Sequence, residues 1–161
     1  MGVLVRRALP SDGPAVLSLV DALADYEKLT PPDDSARQRL LRDVFGSRPR
    51  LECFLAECDG IPTGYAFLFE TYSSFLALPT LYLEDLFVLP AYRHRKIGYA
   101  LFTATVREAY SRGCGRMEWT VLDWNILALD FYRRLGATHM KEWQLFRLVR
   151  PDMEKILGSE V

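Results

Sequence analysis

Two adjacent carboxylates, Glu84 and Asp85, sit inside an apolar run from Leu81 to Val88, and Arg93, His94, Arg95 and Lys96 crowd the turn beyond Pro90. Carboxylates of this kind can accept a proton or hold a cation, while a basic turn can hold an anion. The turn opens directly into Ile97-Gly98-Tyr99-Ala100-Leu101-Phe102, whose pattern starts a helix. Unpaired first-turn N–H groups and the helix dipole would then add to the pull of the side chains on a phosphate. An anionic cofactor at the turn, with two acids beside it on a strand, is the chemistry this spacing suggests. A plain solvated basic turn is the competing reading.

Placing these residues takes a central strand over Thr80–Leu89 and a helix from about Ile97 to Arg112, closed by Gly113. In a regular strand Glu84 and Asp85 face opposite sides, and apolar neighbours on both faces argue against a wholly solvated edge. Upstream, Val3–Arg7 reads as a short strand. Ser11 caps a first helix through Val16, Leu19 and Leu23 to about Lys28. Thr30-Pro31-Pro32-Asp33-Asp34 breaks it, and Ser35 or Asp34 caps a second helix that Gly46 ends. Leu51–Cys58 and Thr63–Tyr72 form a hairpin across Asp59-Gly60-Ile61-Pro62.

Downstream, Met117–Leu122 reads as a buried strand, and Asn125 caps a helix over Ile126–Leu135 that Gly136 terminates. Strand, helix, strand and helix in succession predict parallel neighbours. Ala137–Val149 reads as extended, with Trp143, Leu145, Phe146 and Leu148 as core or interface candidates, followed by a polar tail.

The 161 residues fit one domain with a sizeable core, and twenty basic against twenty-one acidic side chains argue against a chain-wide attraction to nucleic acid. Cys53, Cys58 and Cys114 form neither an even disulfide set nor a CxxC pair, so a reduced compartment and no structural zinc are expected. They lack an evident activating partner, which disfavours an acyl-cysteine intermediate. His94 and His139 read as surface or satisfied residues rather than ligands. No segment approaches the roughly 20 apolar residues of a membrane span, and a cytoplasmic location is expected. The absence of a G-x-x-x-x-G-K-[ST] sequence sets aside a P-loop NTPase.

Two separate blocks resemble the GNAT acetyltransferases. Tyr92-Arg93-His94-Arg95-Lys96-Ile97-Gly98 resembles the acyl-CoA pyrophosphate loop Q/R-x-x-G-x-G/A. Asn125 through Ala137 is similar to a second signature, N-x-x-A-x-x-F-Y-x-x-x-G-A. Leu81–Val88, Tyr26-Glu27 and Trp143-Gln144-Leu145-Phe146 are similar to the spermidine/spermine subfamily, which includes thialysine acetyltransferases. In this alignment Lys96 stands where the family usually has its first glycine, and His94 where a second small residue is common. With a negative φ, Lys96 would still donate its backbone N–H, and its ammonium would add attraction for phosphate.

The resemblance implies an α/β (mixed α+β) single-domain GNAT fold over residues 1–161, core about 3–150. Its central sheet would be mixed, mostly antiparallel and twisted, flanked by helices. It also implies an acyltransferase using acetyl-CoA as co-substrate, without a metal, acting on a small polyamine, diamine or thialysine-like amine as a homodimer. Phe87, Val88, Arg93, His94, Arg95, Lys96, Ile97, Gly98 and Tyr99, with Asn125 and Tyr132, would contact the donor. Asn125 is also explained as a helix cap alone.

An alkyl amine with a pKa near about 10.4 must lose a proton before it attacks a thioester. Glu84 is the candidate base, directly or through a water, and the resemblance assigns Tyr132 as the acid for the leaving thiolate. Without the signature, Tyr132 reads as a core aromatic. Main-chain N–H groups near Val88 would face the developing oxyanion. Glu27, Glu84, Asp85 and Trp143 are the acceptor-side candidates, and Trp143 and the Tyr72–Phe75 segment could form a shared interface. Rival readings are a protein or peptide N-acetyltransferase and a non-catalytic acyl-CoA-binding module.

Overall fold

Alternating apolar residues in four successive segments assemble an antiparallel ladder to which a fifth strand adds in parallel. The structure is a computed structural model describing residues 2–158, and the chain divides into two compact units, Met1–Thr120 and Val121–Val161.

In the first unit, β1 (Val3–Arg7), β2 (Glu52–Cys58), β3 (Ile61–Ser73), β4 (Leu78–Val88) and β5 (Arg116–Glu118) lie side by side in that order. Only the β4–β5 pair is parallel. The β2–β3 hairpin turns at Asp59 and Gly60, with φ of 51° and 80°. Two successive positive φ values match the right-handed strand twist, which is what an Asp-Gly pair supplies. Pro62 therefore falls within β3 rather than in the turn.

Helix α1 (Gly13–Glu27) covers one face of the sheet. Val16 and Leu19 pack there with Cys53, Leu55, Tyr65, Phe67 and Phe87, and α2 (Asp34–Phe45) adds Leu40, Val44 and Phe45. Helix α3 (Ile97–Ser111) covers the other face with Ile97, Leu101, Phe102, Thr105 and Ala109. A Cβ on Gly64 would stand 2.6 Å from the Phe87 carbonyl oxygen and 3.2 Å from Leu101, so only glycine lets β3, β4 and α3 meet here. Burial of these apolar side chains, roughly 1.5–3 kcal/mol each, drives the layering.

Helix starts differ from the sequence expectation. Pro10 opens a 3-10 turn (Pro10–Asp12), so α1 begins at Gly13 and Ser11 is not its cap. The Asp12 carboxylate instead accepts from Leu9 N at 2.7 Å and from Arg6. For α2 the cap is Asp33, not Asp34 or Ser35. Its extended ψ of 173° lets its carboxylate accept from Ala36 N at 2.8 Å. At the far end of α3, Arg112 binds Glu52, Glu70 and Glu108 at 2.7, 3.2 and 2.6 Å, tying helix to sheet.

In the second unit, Asn125 caps α4 (Ile126–Arg134) by accepting from Ala128 N at 3.2 Å, and Gly136 follows at φ 84°. Residues 137–149 hold no strand, although extended structure was expected, because none of their backbone joins a ladder among the described residues. The expected polar tail is instead helix α5 (Arg150–Gly158). Arg150–Glu154 and Asp152–Lys155 pairs at helical spacing support it, with Asp152 in its first turn and Lys155 in its last.

Candidate active site

The β3–β4 register pairs Phe67 with Asp85 but Leu68 with Leu83, leaving Glu84 as the extra residue of a β-bulge. Alternation counted back from Phe87 puts Asp85 on the α1 face, beside Tyr65 and Phe67. Counted on from Tyr82, whose ring lies 5.2 Å from Phe69, alternation puts Glu84 on that same face. The expectation that the two carboxylates face opposite ways is therefore corrected: the bulge resets the side-chain phase and gathers both acids.

The two acids sit in different surroundings. Glu84 is exposed, whereas Asp85 is half-buried and accepts a 2.9 Å hydrogen bond from the Tyr65 hydroxyl. Burial pushes the Asp85 carboxyl up to about 6, the Tyr65 hydrogen bond opposes that rise, and the nearby charges of Glu84 and Glu27 add to it. Burial also raises Glu27, the last residue of α1. Glu84 and Glu27 thus add negative charge around Asp85 in the C-terminal half of β4, an environment that would favour a cation. Beneath them burial pushes the Cys53 thiol up to about 12, so it stays a protonated, buried thiol.

Beyond β4, the 3-10 turn Pro90–Tyr92 leads into the basic turn. His94 and Lys96 adopt left-handed φ values of 63° and 61°, so the negative φ on which donation by the Lys96 N–H is conditioned is not met. The backbone shape that glycine would supply is kept at these positions despite their side chains. His94, Arg95, Lys96 and Tyr99 are exposed, while Ile97 is buried under the sheet. The Lys96 side chain does not cap α3, and the first-turn N–H groups of a helix are the kind of donors that suit an anion. Arg93 is engaged elsewhere: its Nε donates to the Val88 carbonyl at 3.1 Å and its guanidinium lies 4.4 Å from the Tyr26 ring centre.

β5 is shorter than the expected Met117–Leu122 and pairs with β4 only over Thr80–Tyr82. The ladder stops at Tyr82, two residues before the bulge at Glu84. Among the described residues, the Leu83–Val88 edge that would face β5 therefore makes no strand pairing. Such an edge suits an extended amide-bearing chain, and the helix start and basic side chains suit the phosphates at its end.

The sequence model of the Acetyltransferase (GNAT) family matches residues 18–137. The chain belongs to the GNAT acetyltransferase family. Its similarity to the thialysine N-epsilon-acetyltransferase of Bos taurus is 33% identity over 98% of both chains. The L-ornithine N5-acetyltransferase NATA1 of Arabidopsis thaliana is 29% identical over 94% of this chain and 86% of that protein. Among solved structures, an integron cassette protein from V. cholerae superposes with a TM-score of 0.81 at 21% identity over 98% of each chain. The structure of AAC(6')-Iy in complex with the bisubstrate analog CoA-S-monomethyl-acetylneamine gives 0.74 at 22% identity, over 92% and 99%. GNAT members are acyltransferases that use acetyl-CoA, and the basic turn, helix start and unpaired β4 edge fit that donor.

The remaining candidates of this GNAT chain are divided between the two units. Tyr132 is on α4, its ring 5.2 Å from that of Phe131, and burial raises its hydroxyl above the ordinary tyrosine value. A tyrosine so held is protonated at neutral pH. Asn125 serves as the α4 cap, and Trp143 is 77% exposed in the segment between α4 and α5. Phe87 is buried and Val88 half-buried at the end of β4, and Gly98 is in the first turn of α3. Sequence reasoning missed Tyr65 altogether, because its partnership with Asp85 depends on a bulged register that no local signal reveals.

Proposed function

We propose that this GNAT enzyme transfers acetyl from acetyl-CoA to a primary amine of a small cationic acceptor, a diamine, polyamine or thialysine-like molecule. One observation carries the reading. The bulge at Glu84 sets Glu84 and Asp85 on the face where Glu27 also lies, next to the turn suited to the donor's phosphates. A cationic amine entering this cluster offsets the repulsion among the carboxylates. It also draws Asp85 into its charged form by lowering its pKa. Relatives named for thialysine and ornithine support an amine of this size.

Exposed Glu84 takes the ammonium proton, directly or through one water, and the free amine attacks the thioester in a ternary complex. Main-chain N–H groups near Val88 stabilise the oxyanion, and Tyr132 protonates the departing thiolate. His94, Arg95, Lys96 and the α3 N-terminus, from Ile97 and Gly98 to Tyr99, hold the pyrophosphate, with Asn125 on the pantetheine arm. Trp143 and Phe75, which is 99% exposed, offer apolar surface for a homodimer. The chain works as one GNAT domain in the cytoplasm, where its three free cysteines stay reduced.

The test is acetyl-CoA turnover with spermidine, thialysine, ornithine, lysine and a lysine-bearing peptide. Turnover with one or more of the small amines supports the reading. Activity confined to the peptide makes the chain a peptide acetyltransferase, and CoA binding without turnover makes it a binding module.

A further inference from the structure

Arg93 is the basic residue of the turn that does not reach outward. Its Nε donates to the Val88 carbonyl at 3.1 Å, closing the loop back onto the end of β4. Its guanidinium lies over the Tyr26 ring, 4.4 Å from the centre, with the Phe87 ring 5.8 Å away. Tyr26 in turn packs near Phe87, ring centres 6.1 Å apart. A half-buried guanidinium lying over one aromatic ring and within reach of a second is a favourable cation–π arrangement that restrains both partners.

The location gives the stack its consequence. Tyr26 immediately precedes Glu27 at the C-terminal end of α1, and Arg93 immediately precedes the His94-Arg95-Lys96 turn, in which His94 and Lys96 are left-handed. The Tyr26–Arg93 contact is therefore a bridge between the helix carrying an acceptor-side carboxylate and the loop that receives the donor's phosphates. Resting on the acetyl-CoA reading above, we propose that Tyr26 is a positioning residue. Its ring holds the Arg93 guanidinium against the Val88 carbonyl, which keeps the turn from His94 to Gly98 in its anion-binding shape before CoA arrives.

Preorganisation of this kind lowers the ordering cost of binding and appears in donor affinity rather than in any direct contact. The stack's worth at a half-buried site corresponds to about fivefold in binding.

The test measures CoA binding by calorimetry, with thermal melting in parallel, for wild type, Tyr26→Leu, Tyr26→Phe, Arg93→Met and Tyr26→Leu/Arg93→Met. The proposal expects about fivefold weaker CoA binding for Tyr26→Leu and binding within about twofold of wild type for Tyr26→Phe, which keeps the aromatic face. It also expects no further loss when Tyr26→Leu is added to Arg93→Met, since the partner is already gone. A loss shared equally by Tyr26→Phe, or an independent loss in the Arg93→Met background, overturns it, because a general packing defect acts without Arg93. Wild-type affinity in Tyr26→Leu also overturns the bridge while leaving the acetyl-CoA reading intact. Failure of wild type itself to bind CoA overturns that reading and the bridge with it.

Discussion

The Tyr65 hydroxyl donates to Asp85 Oδ2 at 2.9 Å, joining the middle of β3 to β4 one residue past the bulge at Glu84. The bond orients a carboxylate that burial holds at about 6, and the sign of its effect on stability follows. The folded chain keeps a proton that the unfolded chain releases above about 3.9, so stability falls as pH rises between about 4 and 6. Asp85→Asn keeps an acceptor for Tyr65 and removes the buried charge. Denaturant unfolding should show a gain on the order of 2 kcal/mol at pH 8 and little change at pH 4. An equal effect at both pH values would contradict the buried-carboxylate assignment.

Glu84→Gln removes the proposed base while keeping its shape. The expected result is a 10²–10⁴-fold fall in kcat/KM for the amine at neutral pH, with CoA affinity unchanged. The defect should shrink at alkaline pH, where more of the amine arrives unprotonated. Steady-state rates across pH check this, and a constant defect would point to a role in binding instead.

Tyr132→Phe removes the proton donor for the thiolate. Turnover should fall by about 10²-fold or more with donor and acceptor binding largely kept. Comparable rates in the two proteins would take Tyr132 out of the mechanism.

His94 and Lys96 hold left-handed φ values at a cost of roughly 1–2 kcal/mol each. Glycine adopts that region freely and is tolerated at a helix N-cap. Lys96→Gly should raise Tm by about 2–4 °C per kcal/mol recovered, while the lost ammonium weakens CoA binding most at low salt. Differential scanning and calorimetry at two ionic strengths separate the two effects. A lower Tm would contradict the strain.

Features set by neighbouring residues were legible in the sequence. Asp59-Gly60 announced its hairpin because the turn needs two positive φ values that these residues supply, and Asn125 announced the α4 cap. Much of the candidate site was legible through the basic turn and the carboxylate pair. The shared face of Glu84 and Asp85 was not, since a bulge is a property of the β3–β4 register. Lys96 concealed the shape of its loop for the opposite reason: its side chain argues against the left-handed backbone it adopts. The α2 cap is Asp33, ahead of both expected candidates, because its extended backbone lets its carboxylate reach Ala36 N. Helix α5 reads as tail in the sequence because charges dominate it, yet those charges pair at i,i+4 and i,i+3 helical spacing.

The central claim is acetyl transfer from acetyl-CoA to a small cationic amine, and product analysis tests it most directly. Purified protein is incubated with acetyl-CoA and each small amine in turn. Free CoA thiol and acetylated amine are then quantified from the same reaction. The account predicts equal amounts of the two with at least one diamine, polyamine or lysine analogue, and only background release without an acceptor. CoA release with no acetylated small amine across the whole set, or product from the peptide alone, would contradict it.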